Sequence, residues 1–228
     1  MKERLIVAAD LAERTAILEL ADQLAGEVGL LKIGLQAFIS NGPELVREIR
    51  SRSIEVFLDL KLHDIPNTVE RAVEAIGNLD VRMLTVHAAG GRAMLQAAIR
   101  AAKGPAQILG VTILTSLDGS ELDRVGFRQD PQKAVVHLAG LCVESGVSGV
   151  VASPLEVEAL RAKHGGLVIV TPGVRMADDR ADDQRRTMTP EEAIVCGADY
   201  LVVGRPVTAS ANRLDAVRRI VESMEKGA

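Results

Sequence analysis

The chain has 228 residues, of which 47% are hydrophobic, and a formal net charge of −4. This length suits one large α/β domain or two small ones, and because no linker rich in Pro, Gly or Ser divides the sequence, we expect one domain over residues 1–228. A negatively charged chain without basic clusters interleaved with aromatic residues is not typical of nucleic-acid binding. Any phosphate group that the protein binds should therefore belong to a small molecule.

The first ten residues enter a predicted strand at once, without the hydrophobic region of a signal peptide. No apolar stretch approaches the roughly 20 residues of a membrane span. Cys142 and Cys196 fall in predicted amphipathic helices, where a free cysteine usually serves as a small buried hydrophobe, and two such thiols favour a reducing compartment over a disulfide framework. The sequence therefore predicts a soluble cytoplasmic protein without a nucleic-acid or membrane partner.

Eight short apolar segments recur along the chain, with helical patterns between them. They end, in chain order, at Asp10, Gly34, Lys61, Ala88, Thr115, Ser153, Gly173 and Arg205. Eight strand and helix pairs in 228 residues give about 28 residues per unit, which predicts the α/β fold of a compact (β/α)8 TIM barrel. A doubly wound open sheet is the alternative, but the turn at residues 10–15 lacks the GxGxxG pattern of that fold.

The third segment ends in charged residues. Side chains alternate along a strand, so Asp59 and Lys61 share one face and Leu58 and Leu60 share the other. In a barrel the leucines face the helices, and the two charged side chains then point inward at the C-terminal mouth, where barrel enzymes have their active sites. Polar residues also stand at or near the ends of other predicted strands: Asp10, Lys32, His87, Thr115 and Arg205. One such residue alone is more often a helix cap or a structural group, but their convergence predicts a site at the mouth.

Asp59, Lys61 and Asp64 form a row of carboxylate, ammonium and carboxylate. Each close opposite charge contributes on the order of 4 kcal/mol at an effective dielectric constant near 20, so the row should hold the Lys61 ammonium rigidly in place. A purely structural ion pair is the alternative reading. Burying charges is costly, however, and aliphatic side chains could fill the mouth at similar stability, so the row indicates catalysis.

The last predicted strand is followed by features of a phosphate site. Gly204 leaves the backbone open to close approach, and Arg205 supplies a forked donor. Barrels often bind phosphate at the loops after strands seven and eight. The longest predicted loop, residues 173–189, follows strand seven and should close over the site. It carries further polar candidates: Arg175, Gln184, Arg185 and Arg186.

Eight motifs, taken together and in order, resemble those of the bacterial-type orotidine 5′-phosphate decarboxylase family. The most specific of them is DLKLHDIPNT at residues 59–68. The others are VAAD, LKIG, VHAAGG, VTILTS, TPGVR, DDQRRTMTP and VVGRPVT. The resemblance implies that orotidine 5′-monophosphate is converted to uridine 5′-monophosphate (UMP) and CO2, the last step of de novo UMP synthesis. It also implies an obligate homodimer with shared active sites and no metal or organic cofactor.

The resemblance assigns a role to each candidate residue. Asp59 and Lys61 match the central catalytic pair, with Lys61 as the proton donor. Asp10 matches the residue that contacts the ribose, and Lys32 one that contacts the sugar and joins the charged network. Asp64 and Thr68 match family residues that reach into the active site of the neighbouring subunit. Thr115 matches a position beside the pyrimidine base. The family residues that bind the substrate and its phosphate are matched by Arg175, Gln184, Gly204 and Arg205. His63 and His87 match no residue to which the family assigns proton transfer.

Two alternative functions have specific arguments against them. The 3-keto-gulonate phosphate decarboxylase and hexulose phosphate synthase group shares the DxKxxD core and uses Mg²⁺. Members of that group resemble one another in a Glu metal ligand on strand two, where this chain has Lys32. They also lack the IPxT pattern after the DxKxxD core and the DQRR pattern of the long loop. A non-catalytic nucleotide-binding barrel is the second alternative, but a binding module has no need of a costly charged row.

Overall fold

The computed structural model describes residues 1–128, 130–176 and 188–228. Within them, eight parallel strands pair in sequential order and close into one barrel, because β8 also pairs with β1. The strands are β1 (Leu5–Ala8), β2 (Leu30–Gly34), β3 (Glu55–Leu62), β4 (Met83–His87), β5 (Gln107–Val111), β6 (Gly149–Val151), β7 (Val168–Pro172) and β8 (Tyr200–Val203). The predicted (β/α)8 barrel is confirmed.

The helices surround this barrel. They are α1 (Arg14–Leu24), α2 (Leu35–Arg50), α3 (Pro66–Ile76), α4 (Gly91–Ala101), α5 (Gly119–Arg124), α6 (Pro131–Ser145), α7 (Val157–Lys163), α8 (Pro190–Val195), α9 (Arg205–Thr208) and α10 (Arg213–Lys226). The described residues thus form ten α-helices rather than the expected eight, since short helices follow β5 and β8. Asp118 caps α5 by accepting hydrogen bonds from two backbone amides, and Pro206 lies in the first turn of α9, where its fixed φ favours a helix.

Alternation along the strands separates two apolar layers. The barrel interior holds a small buried cluster: Ile6, Ala8, Leu30, Phe57, Met83, Leu109, Val170 and Val202. Leu58 and Leu60 belong instead to the larger layer between strands and helices, as the sequence predicted. The interior cluster fills the barrel below the C-terminal strand ends, so the polar residues at those ends lie above an apolar floor.

The two cysteines are free, and neither is placed for thiol chemistry at the mouth. Cys142 is buried in α6, and burial raises the pKa of its thiol to about 12, so it serves as the small hydrophobe that the sequence predicted. Cys196 is partly buried directly after α8. No helix in the described part of the chain has the length and apolar character needed to cross a bilayer.

Candidate active site

A cavity of about 390 Å³ opens at the C-terminal ends of the strands. Eight of the predicted site residues line it: Asp10, Lys32, Asp59, Lys61, Thr115, Arg175, Gly204 and Arg205. The parallel topology brings them together, because every strand of the barrel ends on the same side. The volume of the cavity is in the range that holds a small-molecule ligand.

An alternating row of charges crosses three neighbouring strands beside the cavity, and within one chain it includes Asp10 and Lys32 in place of the predicted Asp64. Lys61 Nζ donates to Asp59 Oδ2 at 2.7 Å. Lys32 Nζ lies 3.6 Å from the same oxygen and donates to Asp10 Oδ1 at 2.9 Å. Each ammonium therefore lies between or beside carboxylates, and the row runs Asp10, Lys32, Asp59, Lys61.

Asp59 is the most enclosed member of the row, with only 8% of its surface exposed. Burial alone would raise the pKa of its carboxyl group. The charges of Lys32 and Lys61, with hydrogen bonds from Lys61 and Thr85, outweigh that effect and hold the pKa below its ordinary value. Asp59 is consequently a buried anion at neutral pH, fixed against the cavity.

The backbone at Lys61 departs from a regular strand. β3 and β4 pair at Leu58 and Leu84 and next at Leu62 and Val86, so β3 advances four positions while β4 advances two. Lys61 lies inside this bulge with φ of 50°, in the left-handed region that non-glycine residues rarely adopt. The bulge aims the Lys61 side chain at Asp59 and into the cavity.

The phosphate candidates line the same cavity from the segments after β7 and β8. Gly204 precedes α9, and Arg205 begins it. Across the long loop, Val174 forms a parallel bridge with Met188, and the Arg175 amide donates to Met188 O at 3.0 Å. The two ends of the loop are therefore held together beside the cavity. Gln184 and the predicted loop closure lie outside the described residues.

Asp64 and Thr68 do not line the cavity of their own chain. Both are exposed at the start of α3, where Asp64 Oδ1 accepts a hydrogen bond from the Ile65 amide at 2.7 Å. Ile65 is 67% exposed, and Ile39 in α2 is 76% exposed. These two predicted residues thus lie within one turn of Ile65, an apolar side chain that the chain leaves uncovered.

The two mouth histidines pack against each other. The ring centroids of His63 and His87 are 5.2 Å apart, and neither residue lines the cavity. Burial lowers the pKa of His87, and the charges of His63 and Lys61 act in the same direction. His87 is therefore packed against a neighbouring ring at the mouth, and His63 lies between Lys61 and Asp64 in the chain.

Sequence reasoning did not single out Thr85, which contacts both Asp59 and the Lys61 backbone from β4. The alternation in the fourth segment places Thr85 on the inward face with Met83, which is the signal that could have identified it. An apolar wall also completes the cavity: Phe57, Val111, Ile113, Leu114, Val151, Ala152, Pro172 and Val202.

Comparison with known proteins finds similarity over nearly the whole chain. The model of the orotidine 5′-phosphate decarboxylase / HUMPS family matches residues 3–220. The chain is 43% identical to an orotidine 5′-phosphate decarboxylase from Carboxydothermus hydrogenoformans, over 99% of this chain and 97% of that protein. It is 47% identical to one from Moorella thermoacetica, over 98% and 93%. The solved orotidine 5′-phosphate decarboxylase from Lactobacillus acidophilus superposes with a TM-score of 0.86 at 32% identity, covering 96% of this chain and 98% of that one.

Proposed function

The chain belongs to the orotidine 5′-phosphate decarboxylase / HUMPS family and decarboxylates orotidine 5′-monophosphate to UMP, and we propose that it does so with the row of charges at the barrel mouth. One observation carries this proposal. Lys61 Nζ is held 2.7 Å from a buried carboxylate at the edge of a cavity of substrate size. A fixed ammonium in an enclosed site stabilises negative charge that develops next to it.

The chemical problem is the electron pair left at C6 of the pyrimidine. When the bond between C6 and the carboxylate breaks, that pair occupies an in-plane orbital that the ring π system does not delocalise. The Lys61 ammonium stabilises the developing carbanion and then donates a proton to C6, which gives UMP. The neutral Lys61 amine regains its proton from solvent after product release.

Asp59 acts beside Lys61 in this proposal. Its carboxylate lies near the substrate carboxylate, and their repulsion falls as neutral CO2 departs. Asp59 also fixes Lys61 through the 2.7 Å hydrogen bond, which places the proton for transfer. Asp10 and Lys32 contact the ribose, and Thr115 contacts the base.

The phosphate is remote from C6, so its binding energy serves to position the ring. Gly204 and Arg205 supply this grip at the start of α9, and Arg175 and Gln184 extend it from the loop after β7. An Arg guanidinium offers two parallel donors to phosphate oxygens, which fixes orientation as well as affinity.

The proposal requires no metal, and the donor set supports this. In the Mg²⁺-dependent alternative, a carboxylate ligand would stand where this chain has Lys32. Here Lys32 Nζ lies 2.9 Å from Asp10 and 3.6 Å from Asp59, so its ammonium fills the space between the two carboxylates that a divalent cation would need. The cation and the ammonium would repel each other at that position.

Activity in the presence of a chelator tests the proposed function. We expect the purified protein to consume orotidine 5′-monophosphate at the same rate with and without excess EDTA, because Lys61 supplies the positive charge. Loss of the orotate absorbance measures turnover, and the C6 proton of the product is checked by NMR. Activity that EDTA abolishes would favour the metal-dependent alternative, and no activity under either condition would favour the non-catalytic barrel.

We also propose that the enzyme is a homodimer in which Asp64 and Thr68 complete the partner's site. The support is their position: both are exposed, both lie outside their own cavity, and Ile65 beside them is 67% exposed. Large apolar side chains that the chain leaves exposed, such as Ile65 and Ile39, are typical of the core of a protein–protein interface. Asp64 would hold the partner's Lys61 in line from the side opposite Asp59.

Mixed dimers test this sharing. Asp64→Asn and Lys61→Ala should each be nearly inactive alone. Random mixing after reversible dissociation gives half heterodimers, each with one intact site of two, so activity should return to about a quarter of the wild-type level. The matched control mixes Lys61→Ala with Asp59→Asn, which lie in the same site and should not recover. Equal recovery in both mixtures, or in neither, would contradict sharing through Asp64.

A further inference from the structure

We propose that Thr85, at the inward face of β4, is a positioning residue that fixes both Asp59 and Lys61 for the reaction. This inference rests on the proposed function and adds to it a residue outside the cavity wall. Its hydroxyl group joins the carboxylate of Asp59 to the backbone of Lys61 through two hydrogen bonds.

The hydrogen bonds around Thr85 have only one possible direction. The Lys61 amide donates to Thr85 Oγ1 at 2.9 Å, and Thr85 Oγ1 lies 2.9 Å from Asp59 Oδ1. An amide N–H only donates, and an ionised carboxylate only accepts. The single hydroxyl proton therefore points to Asp59, and its oxygen receives the Lys61 amide.

This arrangement determines how Asp59 presents its two oxygens. Thr85 occupies Oδ1, while Oδ2 faces both lysines, with Lys61 Nζ at 2.7 Å and Lys32 Nζ at 3.6 Å. Without the hydroxyl group, the carboxylate would be free to turn about its Cβ–Cγ bond, out of the plane in which one oxygen faces the lysines. Thr85 thus sets the plane of the carboxylate against which Lys61 is aligned.

The same hydroxyl group supports the bulge in β3. Regular pairing with β4 is interrupted between Leu58 and Leu62, so the Lys61 amide receives a side-chain acceptor where the ladder is broken. Lys61 has φ of 50°, a conformation that persists where neighbouring groups hold it. Thr85 is fully buried, so water does not replace its hydroxyl group easily.

The chain offers a matched control in Thr171 of β7. Thr171 is also fully buried, and its Oγ1 has no hydrogen-bond partner among the described residues. Threonine to valine replaces a hydroxyl group by a methyl group at nearly constant volume. Thr171→Val therefore reports the effect of such a change in this barrel without the contacts to Asp59 and Lys61.

The test compares Thr85→Val, Thr85→Ser and Thr171→Val in the full-length enzyme. We expect Thr85→Val to lower kcat by about 10- to 100-fold, the usual cost of misplacing a catalytic group, while the Kd for UMP changes little. Thr85→Ser keeps the hydroxyl group and should restore most of kcat, and Thr171→Val should match the wild type. If Thr85→Val does not fold, Thr85→Ala removes the same hydroxyl group without placing a methyl group against Asp59.

A double-mutant comparison separates positioning from general damage. In an Asp59→Asn background, Thr85→Val should cause a smaller further loss of kcat, because the part of its effect that passes through the Asp59 carboxylate is already lost. Wild-type kcat in a folded Thr85→Val or Thr85→Ala variant, failure of Thr85→Ser to recover, or fully additive losses would overturn the inference. Wild-type turnover in the same assay shows that such a result concerns Thr85 and not the proposed function.

Discussion

Lys61→Ala should lower kcat by at least about 10⁴-fold, because proton donation and electrostatic stabilisation each contribute about 10²-fold or more. The neighbouring Lys32 does not substitute for it, since its ammonium is held between Asp10 and Asp59. Single-turnover measurements with excess enzyme give the rate of the chemical step directly. This is the largest effect that we expect from one substitution.

Substrate binding separates loss of chemistry from loss of structure in this variant. The Kd of Lys61→Ala for UMP should remain measurable, because the phosphate grip is intact. Lys163→Ala, at an exposed position at the end of α7, provides the control and should keep wild-type kcat. Turnover of Lys61→Ala close to that of the wild type would exclude Lys61 as the proton donor.

Arg205→Ala should reduce kcat/KM by about 10²-fold or more, the cost of truncating one partner of a close charge pair. The reason is that phosphate binding at the start of α9 positions a ring whose reaction takes place elsewhere in the cavity. Steady-state kinetics with orotidine 5′-monophosphate measure the loss. Arg218→Ala, exposed on α10, is the matched control.

Substrate in two pieces provides the sharper readout for Arg205. Orotidine without its phosphate should react slowly with the wild type and faster when phosphite dianion is added, because the dianion fills the vacated position. Arg205→Ala should lose most of this activation while its rate with orotidine alone is little changed. Equal losses of kcat/KM with the whole and the truncated substrate would refute the proposal that phosphate binding at Arg205 positions the ring. No response of the wild type to phosphite would refute it as well.

The barrel could be predicted from the sequence because its strands are short apolar runs separated by helical patterns. The ends of the strands were less well predicted. The apolar pattern predicts a fifth strand that ends at Thr115, but β5 ends at Val111. The Leu117 amide donates to Leu114 O in a turn that carries Thr115 to the cavity. Helices α5 and α9 were missed because segments of six and four residues show too little periodicity.

The candidate site could be predicted as a set of residues but not as a geometry. Alternation placed Asp59 and Lys61 on one face, and both do line the cavity. The left-handed backbone at Lys61 has no local signal, because neither glycine nor asparagine marks the bulge, and it depends on Thr85 in another strand. The roles of Asp64 and Thr68 depend on a second chain, so they stay predictions.

The row of charges has a consequence for acid tolerance. Because the pKa of Asp59 is lower in the folded chain than in the unfolded one, its ionised form contributes stability at every pH above the unfolded value of about 3.9. That contribution is lost as the pH falls from there through the folded pKa. Protonation of the same carboxylate removes the anion that holds Lys61, so this titration lowers both the stability of the fold and the catalytic competence of the site.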